Sequence, residues 1–587
     1  MEQYLLAYKV KYIGDYSFDK NYLAMKTLLY FSFSIILFCI YSSPLQSQIS
    51  LDQVERIDQL FSKYDNPNSP GCVVGVIEEG EFVYAKGFGM ANIEKGIPFS
   101  PETEFCVGSV TKQFTATCIG LLVQKGKMKL DEDIRTYLPE LSNYNQGITV
   151  RHLLHHTSGI WDYSTLSSIR RKTYRRFTTY QETLPLLQRL NTLNFSPNTQ
   201  HLYSNSGFLI LQEIIRRVSD QSLQEFAKEH IFNPLKMNNT FYNADFERIS
   251  SRNTIGYRKT NEGNVEPIVE QLGGVSNELI QTNLNDLLLW DQNFYHHKVG
   301  GEMLNKMLQT PGILESGDTI NYAFGLEVGK YSGIRYVTHG GGNLGFGSDI
   351  IRFPDHEKSV IILSNSPFFN VRTMMYKIVD IVLEKQIEET PKAKTEPLPI
   401  VYLSKATLKK YCGSYWNTKI DEPRYVYFRD DTIRYNRPNR YESPLVPIGN
   451  HTFRMLNARN EQTASTVRFV LKENGKNELY FRTGEGSESF SYAFEQASSS
   501  KKYLTEFEGI FSSEAIDFSF EVKFMNKTLY LITNTKRRYE LGPIKADYFV
   551  DRIGRKITFT RDERQNIKGF TMDLYRVKGL FFEKTGN

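Results

Sequence analysis

The sequence predicts an α/β chain carrying two small β-domains at its C-terminal end. Three observations lead there. From Leu51 to about Glu388 helical and strand patterns alternate, as in a mixed domain. A stretch with three prolines, ETPKAKTEPLPI at 389–400, then interrupts the pattern, as a linker does. Beyond it the chain repeats with a shift of 96 residues. Leu408, Tyr411, Gly413 and Tyr415 recur as Leu504, Phe507, Gly509 and Phe511. Phe428, Thr432, Pro447, Ile448 and Phe453 recur as Phe524, Thr528, Pro543, Ile544 and Phe549 in the same register. Nine matches in one register argue for a duplicated unit. The short alternating runs Tyr425–Phe428 and Phe520–Phe524, bounded by turn residues, give each copy a barrel-like reading.

The N-terminus reads as an address. Leu28–Tyr41 is one uncharged apolar run of 14 residues after Lys26. A bilayer span needs about 20, so the run is the core of a secretory signal. Met25 is a candidate true start, and cleavage is expected near Ser47. Leu45 fits the −3 position poorly, which keeps an uncleaved anchor as the alternative. Cys39 follows Phe38 and not a small residue, which speaks against a lipoprotein site. The expected organisation is 1–47 signal region, 51–388 catalytic domain, 389–403 linker, 404–498 first β-domain and 502–587 second.

Within the first domain, Val54–Tyr64 reads as an amphipathic helix, and Gly71–Ile77 with Glu81–Phe88 as a hairpin about Glu-Gly. Phe114–Gln124 and Phe208–Val218 are apolar helices, and Ser348–Asn365 is strand, turn, strand. Composition narrows the function. The 587 residues hold 71 Lys+Arg against 66 Asp+Glu, a formal net charge of +5, too slight for a nucleic-acid surface. Hydrophobic residues make up 40%, which excludes global disorder. The 36 Tyr and 39 Phe suit β-structure. The five Cys, at 39, 72, 106, 118 and 412, have no C-x-x-C spacing, so no zinc ribbon or disulfide framework is written.

Chemistry is suggested first by Gly108-Ser109-Val110-Thr111-Lys112. A serine and a lysine three apart at a helix start share a face. Serine needs a base, and lysine can serve where burial and neighbouring cations lower its pKa. The helix N-terminus favours a developing oxyanion. The spacing alone is weak, because it recurs at Ser17–Lys20, Ser498–Lys501 and Ser499–Lys502, and Ser109 could simply cap the helix. Tyr203-Ser204-Asn205 adds a phenol that can relay a proton and an amide that can orient lysine and substrate, although Tyr64-Asp65-Asn66 has the same spacing. His339-Gly340-Gly341-Gly342, after a strand at Arg335–Thr338, allows close backbone approach and offers N–H donors.

In this order, S-x-x-K, Y-x-N and H-x-G resemble the penicillin-recognising, β-lactamase-related serine hydrolases, in particular the class C β-lactamase, D,D-carboxypeptidase, D-aminopeptidase and esterase branch. The flanks agree: Leu153–Gly159 resembles the family's L-L-x-H-T-S-G, Pro197–Gly207 its P-G-x-x-x-x-Y-S-N-x-G, and Pro234–Met237 its P-L-G-M. Gly273-Gly274 with Asp286-Leu287 and Trp290 matches a further block. The resemblance covers roughly 51–385. It implies a β-lactamase/transpeptidase-like fold, an antiparallel sheet flanked by helices joining 71–90 with 322–365, and Ser109 opening a buried helix. It also implies that Ser109 is the nucleophile, with Lys112 and Tyr203 removing its proton. Asn205, His339, Gly341 and Gly342 serve substrate binding and the oxyanion, with Gly342 and Ser109 N–H as its donors.

Two departures matter. Asn198 stands at a usual glycine, which should alter a turn. His339 stands where β-lactamases of this branch carry a lysine, and a histidine's charge depends on pH. Zinc at His152, His155 and His156 lacks a further ligand in the sequence, so neither metal nor cofactor is expected. The expected partner is a small-molecule or short-peptide substrate, with the cell envelope a further candidate and oligomeric state open. The β-domains, lacking a reactive cluster, are expected either to restrict access to the cleft or to act as spacers. A binding or sensor protein on the same fold is the rival from another class, and intact triplets speak against it.

Overall fold

The computed structural model describes residues 49–141, 144–170, 180–242, 254–260, 262–268, 279–389, 398–437, 442–449, 451–457, 462–474, 476–484 and 486–586. The signal segment, Gly273-Gly274 and the linker residues 390–397 lie outside them.

A six-stranded sheet organises the first domain. Its strands are β1 (Cys72–Glu78), β2 (Glu81–Phe88), β3 (Glu327–Tyr331), β4 (Ile334–Asn343), β5 (Phe346–Phe353) and β6 (Lys358–Ser364), in the order β3-β4-β5-β6-β1-β2. Every pair is antiparallel. The β1–β2 turn places Glu79 and Gly80 at φ +51° and +80°, the two positive angles that a tight hairpin of right-handed twist requires. All seven residues of β6 are buried, as in a strand covered on both faces. Helix α3 (Leu284–His296) packs on β1 and β6, and helix α4 (Val371–Val382) on β5 and β6.

Helix α1 (Lys112–Gln124) continues a 3₁₀ turn, Gly108–Thr111, and buries ten of its thirteen residues. A helix apolar on nearly all sides belongs inside a domain. It packs on helix α2 (Asn205–Ser219). Trp290 of α3, fully buried, donates from Nε1 to Gln113 Oε1 at 3.0 Å. The Asp286–Trp290 block therefore supports α1 from behind.

Two eight-stranded closed barrels follow. One runs from Gly413–Asn417 to Glu488–Ala493, the other from Gly509–Ser513 to Val577–Gly586. Corresponding aromatics meet in each: Tyr411 lies 4.9 Å from Phe453, and Phe507 4.8 Å from Phe549. The stretch after the undescribed linker residues is fastened to the first barrel, since Gln462 exchanges two hydrogen bonds of 3.0 Å with the Leu398 backbone. Buried apolar residues of the second barrel form one cluster with those of the first domain, whereas the first barrel has a cluster of its own.

Candidate active site

Gly108 has φ +53°, a left-handed conformation that glycine adopts without a Cβ penalty. It turns the chain so that Ser109 and Lys112 face one another, and Lys112 Nζ donates to Ser109 Oγ at 3.3 Å. The same nitrogen reaches Asn205 Oδ1 at 3.1 Å and lies 5.0 Å from the centroid of the Tyr203 ring. Lys112 is 7% exposed. The S-x-x-K and Y-x-N residues thus converge on one lysine. Among the described residues the buried Tyr203 hydroxyl meets no hydrogen-bond partner.

Asn205 opens α2, one turn earlier than the apolar pattern suggested. Its Nδ2 donates to Ser164 Oγ at 3.2 Å and its N–H to Asp162 Oδ2 at 2.7 Å, so its amide can present only Oδ1 to Lys112. Asp162 is fully buried and also accepts from Thr165 N–H, Thr165 Oγ1 and the Ser164 hydroxyl. Asp162 and Ser164 belong to no spacing pattern that sequence reading isolates; a lone acid in the apolar segment Ile160–Tyr163 was the available signal.

Strand β4 is longer than the run Arg335–Thr338, because the ladder continues through the glycines: Gly340, Gly341 and Gly342 pair with Asp349, Ser348 and Gly347. His339 is therefore within the strand. Glycine's poor strand propensity hides this in the sequence, and close approach explains it. A Cβ on Gly341 would lie 2.0 Å from Val107 O, and one on Gly108 would lie 2.7 Å from Gly342 N. The glycine strand lies directly against the Ser109 turn, bringing the Gly342 N–H beside it. Gly341→Ala is expected to push strand and turn apart, lowering kcat at least about tenfold while costing about 1–3 kcal/mol of stability. Unchanged kcat in a variant with a normal melting temperature would contradict this packing.

His339 Nδ1 lies 2.7 Å from Gly340 O. A carbonyl accepts only, so Nδ1 carries the proton and Nε2 accepts from Tyr322 OH at 3.0 Å. Burial, and then the Lys112 charge, push the His339 pKa down to about 3. The imidazole is neutral at ordinary pH, a stronger result than the pH-dependent charge expected from its type. Nearby His156 is fully buried, accepts from Ser204 N–H at 3.2 Å and is held well below the usual histidine range by burial. His155 packs edge-on to Phe324, with a pKa lowered to about 4 by burial. His152 caps the short helix Val150–Leu154 with Thr149. Among the described residues no group of three or more His, Cys, Asp or Glu could hold a metal ion.

These histidines set a pH dependence. Unfolded, they take up protons near the ordinary 6.5; folded, His339 refuses one until about pH 3. Their contribution is fully present above about 6.5 and is lost as pH falls below it, on the order of a few kcal/mol for a fully buried imidazole by pH 4. The melting temperature should fall from pH 7.5 to 4.5, and less steeply in His339→Gln, which can still accept from Tyr322. Equal falls in both proteins would contradict the assignment.

Departures from the family pattern have local explanations. Asn198 adopts φ +64° and Lys236 φ +62°; each holds the left-handed turn of the glycine it replaces, asparagine more readily than lysine. One further residue arrives from the far end of the chain. Arg576, in the last hairpin of the second barrel, places its guanidinium carbon 4.4 Å from the Tyr203 ring centroid.

Comparison with known proteins bears on the family and the fold. A family model described as Beta-lactamase matches residues 57–381, more than half of the chain. The chain is 28% identical over 296 residues to a D-aminopeptidase of Gluconobacter oxydans (strain 621H), covering 50% of this chain and 56% of that protein. It is 28% identical over 450 residues to Penicillin-binding protein 4* of Bacillus subtilis (strain 168), covering 73% of this chain and 98% of that one. The chain thus spans little more than half the length of the D-aminopeptidase. In fold it is similar to the octameric penicillin-binding protein homologue from Pyrococcus abyssi, with TM-score 0.52, 23% identity, and coverage of 75% of this chain and 99% of that one.

Proposed function

The chain belongs to the Beta-lactamase family, and on that premise we propose that it is an exported serine hydrolase acting through an acyl-enzyme on an ester or a D-amino-acid-containing peptide or amide. The observation that carries the reading is Lys112 Nζ, 3.3 Å from Ser109 Oγ and 3.1 Å from Asn205 Oδ1 under the Tyr203 ring. Ser109 Oγ bonds to the substrate carbonyl carbon while Lys112 and Tyr203 take its proton. The oxyanion is met by the N–H groups of Ser109 and Gly342. The bond to the leaving oxygen or nitrogen breaks, and that atom receives the proton back. Water then attacks the acyl-serine by the reverse relay, freeing the acid and Ser109.

A true β-lactamase or a penicillin-binding D,D-carboxypeptidase is the second reading, favoured by the long match to Penicillin-binding protein 4*. Neutral His339 argues against the β-lactamase, since no permanent cation stands at that point of β4 to hold a β-lactam's carboxylate. Hydrolysis of p-nitrophenyl esters, D-amino-acid amides and a chromogenic cephalosporin separates the readings. Esters or D-amides should give the higher kcat/KM; a cephalosporin exceeding all of them would favour the second.

Export rests on the apolar run after Lys26. Envelope material should yield a mature N-terminus near residue 48, and a cytoplasmic chain beginning at Met1 would rule export out. The barrels are read as duplicated accessory units: their first strands, Gly413–Asn417 and Gly509–Ser513, start 96 residues apart, matching the sequence shift.

A further inference from the structure

The last hairpin of the second barrel pairs Leu574 with Val577, leaving Tyr575 and Arg576 as its turn. Asn194 of the first domain grips that turn. Its Nδ2 donates to Arg576 O at 3.1 Å, and its Oδ1 accepts from Lys578 N–H at 2.7 Å. A side-chain amide meeting backbone acceptor and donor in this way fixes both position and direction. The Arg576 guanidinium is consequently held over the Tyr203 ring.

The acid paired with it among the described residues is Asp162, and the pairing is loose: Nη1 to Oδ2 is 3.8 Å, beyond hydrogen-bond distance. Asp162 Oδ2 already accepts from Asn205 N–H at 2.7 Å. No described partner within 3.5 Å occupies the guanidinium, which is 38% exposed. A permanently charged, five-donor fork with its hydrogen bonds unspent suits a carboxylate. Its position matters too. Tyr203 belongs, with Lys112, to the relay that returns the proton to the leaving atom in the mechanism above, so we place a group on its ring on the leaving-group side. An ammonium placed there would meet Arg576 and Lys112 together.

We infer that Arg576 is a specificity-determining residue, supplied by the second barrel, that recognises a carboxylate on the leaving-group side of the substrate. This inference rests on the acyl-enzyme reading of Ser109, and its test is built to fail separately from it.

The probes are an N-acetylated D,D-dipeptide with a free terminal carboxylate and the same compound as its terminal amide. Their Kd values are measured by calorimetry on full-length Ser109→Ala, with and without Arg576→Gln, and their kcat/KM values on proteins with Ser109 intact. The carboxylate should be favoured at least about tenfold in binding and in kcat/KM, the order of one charge-assisted hydrogen bond. Arg576→Gln should bring the ratio near one, acting through KM, and Arg576→Lys should restore part of it. Equal Kd values for the two probes on Ser109→Ala, binding of neither, or a ratio that survives Arg576→Gln would overturn the inference. Failure of Ser109 to label with a fluorophosphonate would sink the acyl-enzyme reading instead, while the Kd comparison still reads Arg576.

Discussion

Ser109→Ala is expected to lower kcat/KM on any ester or D-amide substrate by at least about 10³-fold, the scale seen when a nucleophile is removed from a unit whose members act together. Ser109 is half-buried at the mouth of α1, and its hydroxyl is engaged by Lys112 Nζ at 3.3 Å. Removing one oxygen there leaves the turn intact, since its geometry depends on Gly108 at φ +53° and on Gly341 against Val107 O. Melting temperature should therefore change little. A residual rate within tenfold of wild type, from a protein free of contaminating hydrolase, would show that another residue is the nucleophile.

Lys112→Met should cost about 10²–10⁴-fold, the usual contribution of a positioned proton-transfer group. Methionine retains much of the buried volume beside Phe208 and Tyr203 but cannot donate to Ser109 or Asn205. The loss should fall on kcat more than on KM, because the lysine acts on the attacking atom. Tyr203→Phe should lower kcat less, because Lys112 remains in place beneath the ring. A Lys112→Met protein with normal kcat would remove the lysine from the proton relay and leave it a purely positioning role beside Asn205.

The parts of this site that could be read from the sequence are those set by local spacing. Ser109 and Lys112 lie three apart on one helical face, Tyr203 and Asn205 flank one helix start, and His339 precedes three glycines. At Asn198 the sequence suggested an altered turn, whereas the residue keeps a left-handed φ of +64°, which asparagine tolerates better than most residues. That one antiparallel sheet joins 71–90 with 322–365 followed from the resemblance. What spacing could not reveal is tertiary. Asp162 is significant because it caps α2 and aligns Asn205, and Tyr322 because it satisfies His339 Nε2. Neither contact leaves a trace in a one-dimensional pattern. His339 looked like a switchable charge, yet burial outweighs its type. Arg576 is the extreme case: a hairpin in a duplicated barrel gives no sign that its tip reaches a tyrosine in another domain, and Asn194, which makes the reach possible, sits in no motif.

The most direct test of the account is covalent labelling followed by peptide mapping. Full-length protein is treated with a fluorophosphonate, digested and sequenced by mass spectrometry. The account predicts one adduct, on Ser109, absent from Ser109→Ala and formed much more slowly in Lys112→Met. An adduct on a different residue, or undiminished labelling of Ser109→Ala, would contradict it.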